Sequence, residues 1–264
     1  MKFYPQLVTG ATVQFPVVST SVARTVENEM GDGRRVQWSD DSERLARWVC
    51  TYQELLPSEW AALRQLFDEC EGRLGEFVFP DPASNLLAWS EDFSRPDWLK
   101  AGVTLQGGGV GPLQGTSGTR LVAPNAVAGE LIQTVQLPGW YYTVFSVWVR
   151  SATAGTIDLV RRCGSVSRAL VMATSSNWKR VVVSGTTASG PETTQFGVAI
   201  PAGGAVEIFG AQLEAQPAES GYKRTSATSG LYLTARFDTD ELRPMMTALD
   251  RVRVVVPMVA RRGV

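Results

Sequence analysis

The sequence predicts a mainly β chain in two domains: an α+β domain assembled from both chain ends, and a β-sandwich of the jelly-roll kind inserted into it. Three observations carry this expectation. Eight strand-like segments without helical period fill the middle of the chain, one helix with an apolar stripe lies near its start, and two more strand-like segments follow the sandwich. With 264 residues, 44% of them hydrophobic, the chain can bury two ordinary cores.

Residues 1–84 mix strands with a helix. "VQFPVVST" and "RLARWVCTYQEL" alternate β-branched and aromatic residues with polar ones, and "MGDGRR" between them is a hairpin turn signal. In "LPSEWAALRQLFDECEGRLG" the period changes. Trp60, Leu63, Phe67 and Cys70 fall on one helical stripe that starts near Pro57 and Ser58, and Gly72 or Gly75 ends it. "EFVFPDP" follows as a short strand. A helix this short gains stability mainly by laying its stripe on a sheet, so this segment reads as a small α+β unit.

From Asn85 the texture changes. "NLLAWSEDFSRPDWLKAGVT" is rich in aromatics and "QGGGVGPLQGTSG" reads as loop. Then come "TRLVA", "ELIQTVQL", "YYTVFSVWVR", "TIDLVRRC", "SRALVMAT", "WKRVVVSGT", "TQFGVAI" and "AVEIFGAQLE", separated by Gly, Ser, Thr and Pro clusters. "YYTVFSVWVR" is apolar on both faces and belongs in the middle of a sheet. After Ser226, "GLYLTARFDTDEL" and "RVRVVVPMV" are two strands that cannot bury a face alone. They need the N-terminal unit. Residues 1–84 and 229–264 are therefore expected to form one domain and residues 85–228 an inserted one, whose two ends must lie close together.

Two resemblances rest on these residues. "NLLAWSEDFSRPDW", "WKRVVVSGT" and "IFGAQLEAQPAESGYKRTS" stand in the order of the carbohydrate-binding-module-like jelly roll of bacteriophage tail proteins and tail fibres, over about residues 85 to 226. The flanks, through "FPVVSTSVARTVENEMGDGRRVQW", "WAALRQLFDECEGRLGEFVFPDP" and "ARFDTDEL" with "ALDRVRVVVPMV", resemble the distal tail proteins of siphophages and gene transfer agents. The resemblance implies a split-barrel domain that forms a homo-oligomeric ring, commonly a hexamer, at the tip of a phage tail. It also implies partners: the tail tube protein, and baseplate hub or tail fibre proteins. DNA would only pass through the lumen. The sandwich would project outward toward a host cell-surface glycan, in a virion assembled in the host cytoplasm.

Composition narrows the chemistry. Net charge is −1 and the pI about 5.7, so no global basic field points to nucleic acid as main partner. No leader-like apolar run follows the first lysine and no stretch is long and apolar enough to span a membrane, which makes a cytoplasmic site of synthesis the expectation. Histidine is absent, removing the usual general base, the Ser-His and Cys-His nucleophile pairs and the commonest transition-metal ligand. Cys50, Cys70 and Cys163 stand at unrelated spacings and read as buried reduced thiols. No metal, cofactor or catalytic residue is expected.

Sugar rings stack their C–H faces on aromatic side chains, which singles out Trp140, Tyr141 and Tyr142 in "PGWYYT" as candidate carbohydrate contacts. Trp89, Phe93 and Trp98 are expected to plug the sandwich. Asp238 and Asp240, two apart on an expected strand, would share a face about 7 Å apart, within the span of glycosidase acid/base pairs. On an assembling domain such residues more simply solvate an edge or meet an arginine of the next subunit. Arg34, Arg35, Arg44, Arg47, Arg251 and Arg253 fall on the same domain and suit interfacial ion pairs or a lumen. The glycine-rich "GDG" and "GGGVG" read as turns. Two other functions stay open: a tail-associated carbohydrate-active enzyme (a depolymerase), and a free carbohydrate-binding adhesin.

Overall fold

The computed structural model describes residues 1–153, 155–187 and 192–262, except for the side chains at 41 and 42. The chain is 52% strand and 5% helix. Its elements in order are β1 (Val17–Glu29), β2 (Arg35–Leu55), α1 (Pro57–Cys70), β3 (Phe77–Pro80), β4 (Trp98–Ala101), β5 (Thr104–Val110), β6 (Ser117–Val122) and β7 (Gly129–Val135). Then follow β8 (Thr143–Arg150), β9 (Gly155–Cys163), β10 (Val166–Thr174), β11 (Lys179–Gly185), β12 (Thr194–Ile200), β13 (Ala205–Glu214), β14 (Leu231–Phe237), β15 (Met245–Ala248) and β16 (Arg251–Arg261).

Two compact units divide the chain. The first comprises Met1–Val8, Thr12–Pro80 and the chain from Tyr232 onward; the second comprises Thr9–Ala11 and Asp81–Leu231. The seams thus lie a few residues outside the expected 84/85 and 228/229 boundaries.

In the first unit a six-stranded sheet runs β1-β2-β16-β14-β3, with β15 beside β16. The C-terminal strand β16 sits between β2 and β14, so the sheet is incomplete without it. Alternation explains its place: Val252, Val254, Val256, Met258 and Ala260 are buried and the residues between them are not. Trp48 packs on Phe79 and Tyr232 at ring separations of 5.0 and 4.7 Å, and Phe237 on Phe67 and Phe77 at 5.0 and 4.8 Å. One core is therefore built from both ends of the chain. Helix α1 lays Leu63, Leu66 and Cys70 on it, with Trp60 and Phe67 at the margin. The helix starts at Pro57 with Glu59 Oε2 accepting from the Leu56 N–H at 2.8 Å, and stops where Glu71 and Gly72 turn left-handed, φ 53° and 65°. "MGDGRR" closes the β1–β2 hairpin through Met30 N–H to Arg34 O, but both strands are longer than the sequence suggested, and β15 was not foreseen.

The second unit holds two five-stranded antiparallel sheets, β10-β9-β12-β7-β4 and β11-β8-β13-β6-β5, packed face to face where Phe145 of β8 meets Phe196 of β12 at 6.2 Å. β8 lies inside its sheet, flanked by β11 and β13, as its two apolar faces require. Two strands escaped the sequence reading, β4 and β5. The glycine run taken for a turn is strand β5. Two of its three glycines answer crowding: a Cβ on Gly108 would meet Gly118 O at 2.4 Å, and one on Gly109 would meet Arg150 Nη2 at 2.6 Å. Arg150 is held there by Glu207 at 2.9 Å, and Gly109 N–H donates to the same carboxylate.

The two ends of this unit are fastened together. Asp81 N–H donates to Gly230 O at 2.8 Å and Gly230 N–H to Asn85 O at 2.7 Å. The Asn85 amide, 0% exposed, donates to Ala211 O and Lys223 O and accepts from the N–H groups of Leu87 and Leu213. Ser90 and Thr225 exchange two more bonds, and Gln133 clamps both N–H and C=O of Ala88. Trp98 and Phe93 fill the space beneath, 5.0 Å apart, with the Trp98 indole N–H on Trp89 O.

Replacing Asn85 by Leu strands two buried N–H groups and two carbonyls and is expected to cost on the order of 3 kcal/mol or more, read as a lowered urea midpoint for the second unit. Because β16 is an interior strand of the first unit, a fragment of residues 1–80 should show no cooperative unfolding transition, and the full chain should.

Candidate functional site

Trp140, Tyr141 and Tyr142 occupy the turn that leads into β8. Tyr141 N–H donates back to Pro138 O at 3.1 Å, and the turn is tied to the end of β11 by Thr187 N–H to Gly139 O at 2.7 Å. The three aromatics have different fates. Tyr141 is 1% exposed, and burial pushes its phenol well above the ordinary value. It has no open ring face and cannot stack on a sugar. Tyr142 is half-buried and its ring lies against Gly10, where a Cβ would come within 2.9 Å of the ring. Trp140 alone of the three is exposed, at 46%, with its ring propped on Tyr141 at 4.6 Å and 39°. Alternation did not separate them because all three sit in a turn, where the two-residue period has not yet begun.

Beneath this turn lies Arg161, which the sequence did not single out. It projects inward from β9 and is 2% exposed. Its Nη2 donates to the backbone carbonyl of Thr143 and, at 2.6 Å, to Thr143 Oγ1, while its guanidinium faces the Phe196 ring at 5.7 Å. Burial lowers its pKa to about 10. Its Nε and the neighbouring Thr187 Oγ1 have no hydrogen-bond partner among the described residues. Gly185, at φ 123°, leaves room for it: a Cβ there would lie 3.3 Å from Nη1. This end of the sandwich thus joins an exposed indole to a buried cation and an uncommitted hydroxyl.

At the opposite strand ends, a cavity of about 180 Å³ is lined by Ser151, Thr153, Thr156 and Thr174, by Ile157 and Ile200, and by the Pro201–Gly204 turn. No aromatic residue lines it. It is also smaller than most ligand pockets, ~300 Å³ upward.

Asp238, Asp240 and five of the six arginines singled out in the sequence have side-chain partners within the chain. Asp238 and Asp240 follow β14 in a bend rather than a strand. Asp238 lies 3.5 Å from Arg47, and Asp240 is bound by Arg73 at 2.9 Å. The Arg73 backbone and side-chain hydrogen bonds hold the Asp240 carboxyl below its ordinary range. Arginines expected to meet a neighbouring copy or to line a lumen have acceptors within their own chain. Arg34 pairs with Asp32, Arg35 with Glu27 and Glu29, Arg251 with Asp250, and Arg44 bonds Ser39 Oγ. Cys50, Cys70 and Cys163 are buried and form no disulfide among the described residues. Among the described residues no group of three His, Cys, Asp or Glu is placed to hold a metal ion, and no helix is long and apolar enough to cross a membrane.

The residues of the closing motif also serve packing. Glu214, 1% exposed, receives Lys223 Nζ at 2.8 Å, the Ser220 hydroxyl, and Ser220 N–H at 3.0 Å. Tyr222 stands edge-on to Trp148 at 5.2 Å with its hydroxyl shared between Ser90 and Glu91. Desolvation pushes the Glu214 carboxyl up, but the bonds from Lys223, Ser220 and Gln212 outweigh it and leave the pKa below the ordinary value. The folded state therefore binds this proton less readily than the unfolded one. Its stabilising contribution is complete above the ordinary value of 4.5 and is lost as pH falls through the lower, folded value. Between about pH 7 and about pH 3, Glu214→Gln should start less stable and lose less on acidification than the parent chain, measured by urea unfolding.

No family model matches this sequence. No curated protein matches it either. Among solved structures, the C-terminal family 22 carbohydrate binding module of Clostridium thermocellum Xyn10B is similar at 15% identity and TM-score 0.43, covering 54% of this chain and 100% of that chain. TmCBM61, solved with beta-1,4-galactotriose, is similar at 18% identity and TM-score 0.39, covering 49% of this chain and 97% of that one. The enzymatically active domain of tailspike protein 4 of bacteriophage CBA120 is similar at 16% identity and TM-score 0.40, over 51% of this chain but only 22% of that one.

Proposed function

We propose that this chain is a structural protein of a phage tail, without catalytic function. Its first unit assembles into a homo-oligomeric ring, a hexamer, at the distal tail tip and joins the tail tube to the baseplate or fibre. Its second unit is a module that meets host-surface glycans through Trp140. The observation that carries this reading is the fastening of Asp81, Asn85 and Gly230 to one another. A sandwich whose ends are bonded side by side sits in a loop of another domain without disturbing it, which is how a binding module is added to an assembling scaffold. Further support comes from the pairing of Asp238 and Asp240 with Arg47 and Arg73, which leaves neither carboxylate free for acid/base work. DNA is a passenger of the ring lumen in this reading.

Trp140 favours the glycan role over a purely structural one, since an exposed indole propped on a buried ring presents a rigid, flat, apolar face. The test has two arms. Negative-stain images of the purified full chain are expected to contain rings; a persistent monomer that still binds glycan would favour a free adhesin. On a glycan array, Trp140→Ala should lose about tenfold in affinity, equivalent to ~1.4 kcal/mol, while its melting temperature stays unchanged. Binding that survives this substitution would remove Trp140 from the site, and turnover of any arrayed polysaccharide would overturn the non-catalytic reading.

A further inference from the structure

Arg161 is a buried cation without an anion. Its Nη2 donates to the carbonyl and hydroxyl of Thr143, which supply hydrogen bonds but no charge, and neither Nε nor Nη1 reaches an acceptor among the described residues. The ladder adds a second cation. In the β9–β10 register Arg168 stands directly opposite Arg161. Residues so placed point to the same face of the sheet, and like charges there repel. Arg168 is exposed and forms no hydrogen bond or ion pair among the described residues. Its field adds to burial in lowering the Arg161 pKa, yet at about 10 the group stays charged at neutral pH. A buried charge is costly unless it is paired.

The surroundings say where an anion fits. β10 and β11 are edge strands of the two sheets, and these edges adjoin. β11 ends at Gly185, the register partner of Thr143, which lacks the side chain that would cover Nη1. Two residues on, Thr187 bonds Gly139 through its N–H and holds a buried hydroxyl without a partner among the described residues. Trp140 follows Gly139, and from Trp140 to Thr143 the chain spans at most about 11 Å. The exposed indole, the Arg161 floor and the Arg168 lip therefore lie within reach of one short oligosaccharide. Their chemistries are complementary. An indole holds the C–H face of a sugar whatever its charge, whereas a guanidinium selects a carboxylate.

We infer that the ligand of this site is an acidic glycan: a sugar carboxylate lies between Arg161 and Arg168 while a neighbouring ring stacks on Trp140. The inference rests on the glycan reading above and names the class of sugar for it.

The test titrates the full chain calorimetrically with two probes, α-1,4-linked trigalacturonate and its carboxyl-reduced counterpart, galactotriose. The acid is expected to bind at least tenfold more tightly, and the hits on the glycan array should carry uronate or sialate. Arg161→Met keeps the volume and removes the charge. It should abolish the preference for the acid while the urea midpoint of the second unit stays level or rises, because an unpaired buried charge is gone. A purely structural role for Arg161 predicts the reverse, a lowered midpoint with the preference intact. Arg168→Gln tests the lip without touching the core and should cut the preference at least threefold at an unchanged melting temperature. Equal affinity for the two trimers, or array hits confined to neutral glycans, would overturn this inference and leave the glycan reading standing. Sodium acetate or inorganic phosphate that raises the melting temperature as much as the acidic trimer would overturn it in favour of a simple ion site. An array without hits would remove the glycan reading and this inference together.

Discussion

The Asn85 side chain has four hydrogen-bonding positions, no access to water, and four backbone partners that use all of them. Two of those partners, Ala211 and Leu213, belong to β13; the others, Leu87 and Lys223, belong to the opening and closing segments of the second unit. A buried amide left half-satisfied costs more than the bonds it makes, so the arrangement is close to all-or-none. The rest of the sandwich follows from it. With Asn85 seated, Leu86 N–H reaches Leu213 O and Trp89 N–H reaches Ser226 O, and the two ends of a segment of some 150 residues are held side by side.

A second constraint lies at the bend of β13. Its pairing shifts between Phe209 and Gln212, and Gly210 sits there at φ 62°, where a Cβ would come within 3.1 Å of both the Trp148 and Tyr222 rings. Only glycine meets both demands. The bulge turns the strand so that Gln212 and Glu214 face the closing loop, where Gln212 accepts from Lys223 N–H at 2.7 Å and Glu214 from Lys223 Nζ. The motif that resembles phage tail modules therefore consists of residues that close the fold. Trp140, where the glycan contact is proposed, lies outside these closing residues.

In the first unit the governing fact is the place of β16. An interior strand supplied by the last segment of the chain means that the sheet, and the aromatic cluster of Trp48, Phe67, Phe77, Phe79 and Phe237, can form only after the whole guest segment has been made. Such non-local pairing is slow to fold and leaves sheet edges and apolar faces exposed meanwhile. The ends bonded at Asp81 and Gly230 shorten the effective loop from about 150 residues to a few, which lowers its closure entropy.

Periodicity in the sequence was enough for α1, for β6 to β13, and for the need of the last strands for a host sheet, because each depends on an alternation of apolar and polar residues that survives in any packing. It failed at β5, where three glycines suppress strand propensity and only the crowding by Gly118 O and Arg150 reveals why Gly108 and Gly109 are there. It failed again at Trp140, Tyr141 and Tyr142, which are alike as residues and differ only in what lies against them. Arg161 was missed because a charged residue in a strand reads as outward-facing until the opposite sheet supplies Thr143 and the neighbouring strand β12 supplies Phe196. Residue order by itself determined the mainly β character and the type of nearly every element, since those follow from local periods. Tertiary structure alone decided which ring is open, which cation is buried and how far the β1–β2 ribbon reaches, because burial belongs to the partner surface and no residue carries that in its own chemistry.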